Sequence, residues 1–174
     1  MKAAPLLMSI TLLGAGLCAS IPDAAAQRTR ERSASRTAPG NASVGAAASG
    51  PRGDAMRQRE RSLDDDRYAS ARSASIAGVD GGSASRWRSA DRDGDTGSVE
   101  RGGEFTGPEG ASGSTSASRT HGDGSAEGGR TATVTGRDGN TITSTRAWEA
   151  DADGGTRSRT VRCTDADGAT IDCH

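Results

Sequence analysis

Residues Arg130–His174 read "RTATVTGRDGNTITSTRAWEADADGGTRSRTVRCTDADGATIDCH" and decide the fold. β-branched Thr, Val and Ile alternate here with small or charged residues, which is the period of a strand, and Asp-Gly pairs interrupt the alternation. Those pairs are Asp138-Gly139, Asp153-Gly154 and Asp167-Gly168, spaced 15 and then 14 residues apart, and Thr141, Thr156 and Thr170 each follow three residues after the Asp. "DRDGDTGS" adds a fourth copy, with Asp93-Gly94 and Thr96, so the turns belong to an internal D-G-x-T repeat. A three-residue hairpin loop ends with Gly in the left-handed region, and that rule fixes the register. With Arg137–Gly139 as the loop, Val134 lies opposite Ile142. With Ala166–Gly168 as the loop, Cys163 lies opposite Ile171 and Val161 opposite Cys173. Cys163 and Cys173 are then diagonal neighbours within reach of a disulfide. The expectation for residues 130–174 is a small all-β antiparallel hairpin meander, turning at Gly139, Gly154 and Gly168 and stapled by that disulfide.

The Asp-rich loops have a second reading as cation sites. "DRDGDTGSVERGGEF" resembles an EF-hand loop in its alternating Asp91, Asp93 and Asp95. It departs from that pattern where Thr96 replaces the sharp-turn Gly and Gly102 replaces the bidentate Glu. "DADGGTRS", with Asp151 and Asp153, and "DADGATIDC", with Asp165 and Asp167, lack a closing Glu, although the second resembles the Cys-bounded calcium repeats of thrombospondins in one partial copy. Asp and Gly favour turns without any metal, because Asp accepts hydrogen bonds from the following backbone and Gly takes positive φ. Turn chemistry is the preferred reading, and a weak calcium-responsive protein is the alternative. Cys163, Cys173 and His174, with His121, could also be assembled as zinc ligands, but a cysteine pair in an exported chain favours a disulfide. No catalytic residue and no cofactor is expected.

Ahead of this region the composition argues against folding. After residue 26 the chain has 148 residues (174 minus 26), of which 14 are large apolar side chains from Val44 to Ile171. That is below the roughly 20 % at which disorder becomes the default. Burying each is worth about 1.5–3 kcal/mol, against about 1–2 kcal/mol to order each residue's backbone. The expectation is therefore a mostly intrinsically disordered protein, with residues 27–129 a low-complexity Arg/Ser/Gly/Ala-rich region. Within it, Gln27–Gly53 reads as a linker, Asp54–Ser75 as a frayed helix at most, and Ala77–Gly129 as the most Gly- and Ser-rich part.

The chain opens "MKAAPLLMSITLLGAGLCASIPDAAAQ". Lys2, an apolar run from Leu6 to Cys18 that is too short to span a bilayer, and Ala24-Ala25-Ala26 have the layout of a secretory signal peptide over residues 1–26. No second apolar run follows, so no membrane span is expected after cleavage. Gln27–Arg61 carries eight Arg and three acids, a net of +5, whereas Ser73–His174 carries eleven Arg and sixteen acids, a net of −5. The preferred reading of the basic arm over residues 27–61 is a solvated charge run, and the alternative is an interaction tail for anionic envelope polymers. No aromatic residue sits among the early arginines to stack a base, so nucleic acid is not the expected partner. Function thus reads as a non-enzymatic secreted or periplasmic protein that binds a partner.

Overall fold

A computed structural model describes residues 28–173. They form one eleven-stranded antiparallel sheet whose order in space is the order in sequence. The strands are β1 (Thr29–Ala38), β2 (Asn41–Gly50), β3 (Gly53–Asp64), β4 (Arg67–Gly78), β5 (Ser83–Asp93), β6 (Thr96–Thr106), β7 (Ser112–Gly122), β8 (Ser125–Thr135), β9 (Thr141–Asp151), β10 (Gly154–Thr164) and β11 (Thr170–Ile171). Among the described residues each strand touches only its sequence neighbours, so the sheet is a single layer. No helix there is long and apolar enough to cross a membrane. Residues 1–27, where a signal peptide is expected, and His174 lie outside the described residues.

The expectation of disorder over residues 27–129 is overturned for residues 28–129, Gln27 lying outside the described residues. The described part of the linker at Gln27–Gly53 is the β1–β2 hairpin and the start of β3, the frayed helix at Asp54–Ser75 is the β3–β4 hairpin turning at Asp65-Asp66, and Ala77–Gly129 supplies β5 to β7 and part of β8. The premise about the core holds, since Cys163 is the only buried apolar residue among those described. What it leaves out is the backbone. Ten ladders pair nearly every strand residue with a neighbour, and those hydrogen bonds and cross-strand side-chain pairs order the chain without a second layer.

From β3 onward two kinds of turn alternate along the chain, the β1–β2 and β2–β3 turns both having two residues. At one rim of the sheet, three-residue loops open at Gly78, Gly107, Gly136 and Asp165, each 29 residues after the last. All four close with the same pair of backbone bonds, for example Gly136 N–H to Asn140 O at 2.8 Å and Gly139 N–H to Gly136 O at 3.1 Å. The third loop residue is glycine each time, with φ of 84°, 90°, 81° and 85° at Gly81, Gly110, Gly139 and Gly168, a region costly for any residue with a Cβ. At the opposite rim the turns have two residues, and Asp65 and Asp123 take φ of 48° and 51°, which Asp tolerates better than most. The 15- and 14-residue spacings of the Asp-Gly pairs are thus the two halves of a 29-residue, two-strand unit.

The C-terminal register agrees with expectation at Val134–Ile142 and Cys163–Ile171. Cys163 and Cys173 are disulfide-bonded, with Cα atoms 5.5 Å apart. Two details differ. The β9–β10 turn falls on Ala152-Asp153, one residue early, because the Asp151 carboxylate accepts hydrogen bonds from the N–H groups of Asp153 (2.9 Å) and Gly154 (3.0 Å). β11 stops at Ile171, so Val161 and Cys173 do not pair.

Candidate functional site

Residues directly opposite in an antiparallel ladder share a face, as do residues two apart on one strand. Following the ladders from β3 to β10 gives one continuous row: Arg59, Arg72, Arg88, Arg101, Ala117, Arg130, Arg146 and Arg159. Seven of its eight members are arginines, and all seven are exposed. Arg72, Arg101, Arg130 and Arg159 recur at the 29-residue interval of the turns. Two residues to either side, Arg57, Arg61, Arg86, Arg119 and Arg157 stand on the same face. Arg30, Arg32, Arg36 and Arg92 bring the total on this face to sixteen.

No Asp or Glu within any strand shares that face. The eleven strand acids (Glu31, Asp54, Glu60, Asp64, Asp91, Asp93, Glu100, Glu104, Glu127, Glu149 and Asp151) all fall at the alternate register, on the other face, among Ser, Thr and Ala. Only Arg67 and Arg162 stand with them, and Arg67 pairs with Asp91 at 3.4 Å. The other ion pair among the described residues joins Arg137 and Glu109 between two rim loops, so no arginine of the basic face is in an ion pair. To the uneven charge along the chain the structure adds a division through the thickness of the sheet.

The centre of the basic face is a shallow groove of about 430 Å³, lined by Arg57, Arg72, Arg86, Arg88, Arg101 and Arg130, with Trp87 and Gly102 and the small residues Ser73, Ala74, Thr115 and Ala117. Aromatic rings brace the surface by lying across glycines of adjacent strands. A Cβ on Gly128 would come 2.7 Å from the Trp148 ring, and one on Gly102 would come 2.6 Å from Trp87. Such ring-over-glycine pairs restore cross-strand contact where glycine offers no side chain. Trp148 belongs to the basic face and carries the Arg119 guanidinium 5.6 Å from its ring centroid. Trp87 belongs to the acidic face.

No family model matches the chain, and no curated protein or solved structure matches it. The reading of the site rests on its own residues.

The residues weighed for calcium are placed as follows. Asp91 and Asp93 stand on β5 at the acidic face and Asp95 in the following turn, within a hairpin instead of a helix–loop–helix unit. The Asp165 carboxylate accepts from the N–H groups of Asp167 (3.1 Å) and Ala169 (2.8 Å), which is turn chemistry. Among the described residues no three His, Cys, Asp or Glu side chains are grouped so as to hold a metal ion. His121 lies against Gly97 on the neighbouring strand, while Cys163 and Cys173 are joined to each other. Sequence reasoning missed the arginine face, although its signal is present in "RTRERSASR" (28–36) and "RQRERS" (57–62), where every Arg falls at a position of the same parity, at 28, 30, 32 and 36 and at 57, 59 and 61.

Proposed function

We propose that this chain is a non-enzymatic exported protein that holds anionic envelope polymers against the arginine face of its sheet. The observation that carries the reading is the row of arginines set directly opposite one another with no carboxylate on their face. Like charges at opposed positions destabilise a sheet, so this arrangement works against the fold. An anionic partner would supply the counter-charge that the face itself lacks. After residue 26 every cationic side chain outside histidine is Arg, whose planar fork binds phosphate or carboxylate in bidentate fashion. Export is supported by the Lys2, Leu6–Cys18 and Ala24–Ala26 layout and fits the oxidised cysteine pair.

The test is calorimetric titration of the chain from Gln27 with polygalacturonate, inorganic polyphosphate and neutral dextran across a salt series. The expected result is binding to anionic polymer, with log K falling linearly against log salt, and none to dextran. Failure to bind either anionic polymer at low salt rejects the reading.

A further inference from the structure

We propose that the polymer is a linear polyphosphate, lying along the central arginine row and so crossing the strands at right angles. This rests on the arginine face being a polyanion site and names the ligand that suits it.

Three features select it. The row runs over eight strands, and at about 4.8 Å per strand its seven intervals span roughly 34 Å. With the flanking arginines, twelve guanidinium groups lie along that length, or about one charge per 3 Å. Such density suits a chain that carries a charge on every link. The band is also narrow. Acidic turns stand at both rims, with Asp66 and Asp95 on one side and Asp80 and Asp138 on the other, so a broad anionic surface would meet carboxylates where a single chain does not. Finally, nucleobases and sugar rings bind on aromatic platforms. From β3 to β10 the row itself holds only Arg and Ala. The aromatic rings stand off its line: Tyr68 and Phe105 share the face but lie four residues along their strands from Arg72 and Arg101, the Trp148 ring carries Arg119, and Trp87, at the alternate register, borders the groove. Along its own line the row offers charge without a ring.

Ala117 is the single gap in the row, and it provides the test. The chain from Gln27 is titrated with pyrophosphate, tripolyphosphate and longer polyphosphates, with far-UV circular dichroism confirming the fold of each variant. Affinity should climb with polymer length until the row is covered and then level off. Ala117→Arg should tighten the longest polymer and steepen its salt slope by about one. Arg101→Gln and Arg130→Gln should each weaken it about two- to fivefold, whereas Arg137→Gln in the rim loop should not. If Ala117→Arg does not fold, Arg101→Lys and Arg130→Lys take its place, and they should weaken binding by removing the bidentate fork at unchanged charge. Length-independent affinity overturns the proposal, as does a folded Ala117→Arg with unchanged binding. So does single-stranded oligothymidylate binding as tightly as polyphosphate at equal charge. Binding of polygalacturonate but not polyphosphate would overturn this inference and leave the polyanion function standing; binding of neither would remove both.

Discussion

The two faces of the sheet share one backbone and one set of ladders, yet they handle charge in opposite ways. On the acidic face the carboxylates are dispersed: Glu60 lies opposite Ala71, Glu100 between Ser89 and Ser118, and Glu104 between Ser85 and Ser114. Glu127 accepts a hydrogen bond from the Thr120 hydroxyl at 3.2 Å, although it also faces Glu149. The basic face concentrates its charge, with Arg59, Arg72, Arg88 and Arg101 in unbroken succession. Dispersal is what sheet stability favours. Concentration on one face alone points to a demand from outside the fold, because real proteins depart from local rules mainly at functional sites.

The contrast can be broken most directly by neutralising each face in turn. Changing Arg72, Arg88, Arg101 and Arg130 together to Gln should weaken polyphosphate binding about a hundredfold while raising the thermal midpoint, since opposed like charges are removed. The matched change of Glu60, Glu100, Glu104 and Glu127 to Gln should leave affinity equal or greater. Calorimetry and thermal circular dichroism read both outcomes, and equal losses from the two sets would erase the distinction between the faces.

A smaller effect separates stability from binding. Removing the disulfide through Cys163→Ser and Cys173→Ser should lower stability by about 2–3 kcal/mol in urea unfolding, because the loop it closes is freed in the unfolded chain. Amide signals of Thr170 and Ile171 should collapse first, and polyphosphate affinity in the absence of urea should not change.

The smallest effect compares the two tryptophans. Trp87→Ala and Trp148→Ala each uncover a glycine and should cost about 1 kcal/mol in urea unfolding. Trp148→Ala should cost slightly more, because Arg119 also loses its ring. A greater cost at Trp87 would count against that cation–ring contribution.

The C-terminal hairpins were readable because two signals coincide there: Asp-Gly turns and alternating β-branched residues around Val134, Ile142 and Val161. From β1 to β7 the second signal is missing. The alternation persists, but it is carried by Arg against Glu, Ser or Gln, as at Arg57, Gln58, Arg59, Glu60 and Arg61. A period-two search that follows apolar residues passes over it. Glycine content misled for a related reason. Gly102, Gly113 and Gly128 look like solvating filler, yet each lies beneath an aromatic ring of an adjacent strand (Trp87, Phe105 and Trp148), a pairing that only the register exposes. The 29-residue recurrence of Arg72, Arg101, Arg130 and Arg159 is visible in the bare sequence once two turn types are allowed to alternate.

Because every strand touches only its neighbours, the molecule behaves thermodynamically as a one-dimensional array whose stability sums over adjacent pairs. Such an array opens from its ends like a zip. Each end is held by one ladder, but the C-terminal hairpin is closed by the Cys163–Cys173 bond and its β9–β10 ladder has eleven pairs, against nine for β1–β2. Fraying, proteolytic trimming and mechanical pulling should all therefore advance from the N-terminal side. Each strand lost from β3 onward, β7 with its Ala117 excepted, takes one rung off the arginine row, so grip on a long polymer would fall stepwise, without collapse of the strands that remain.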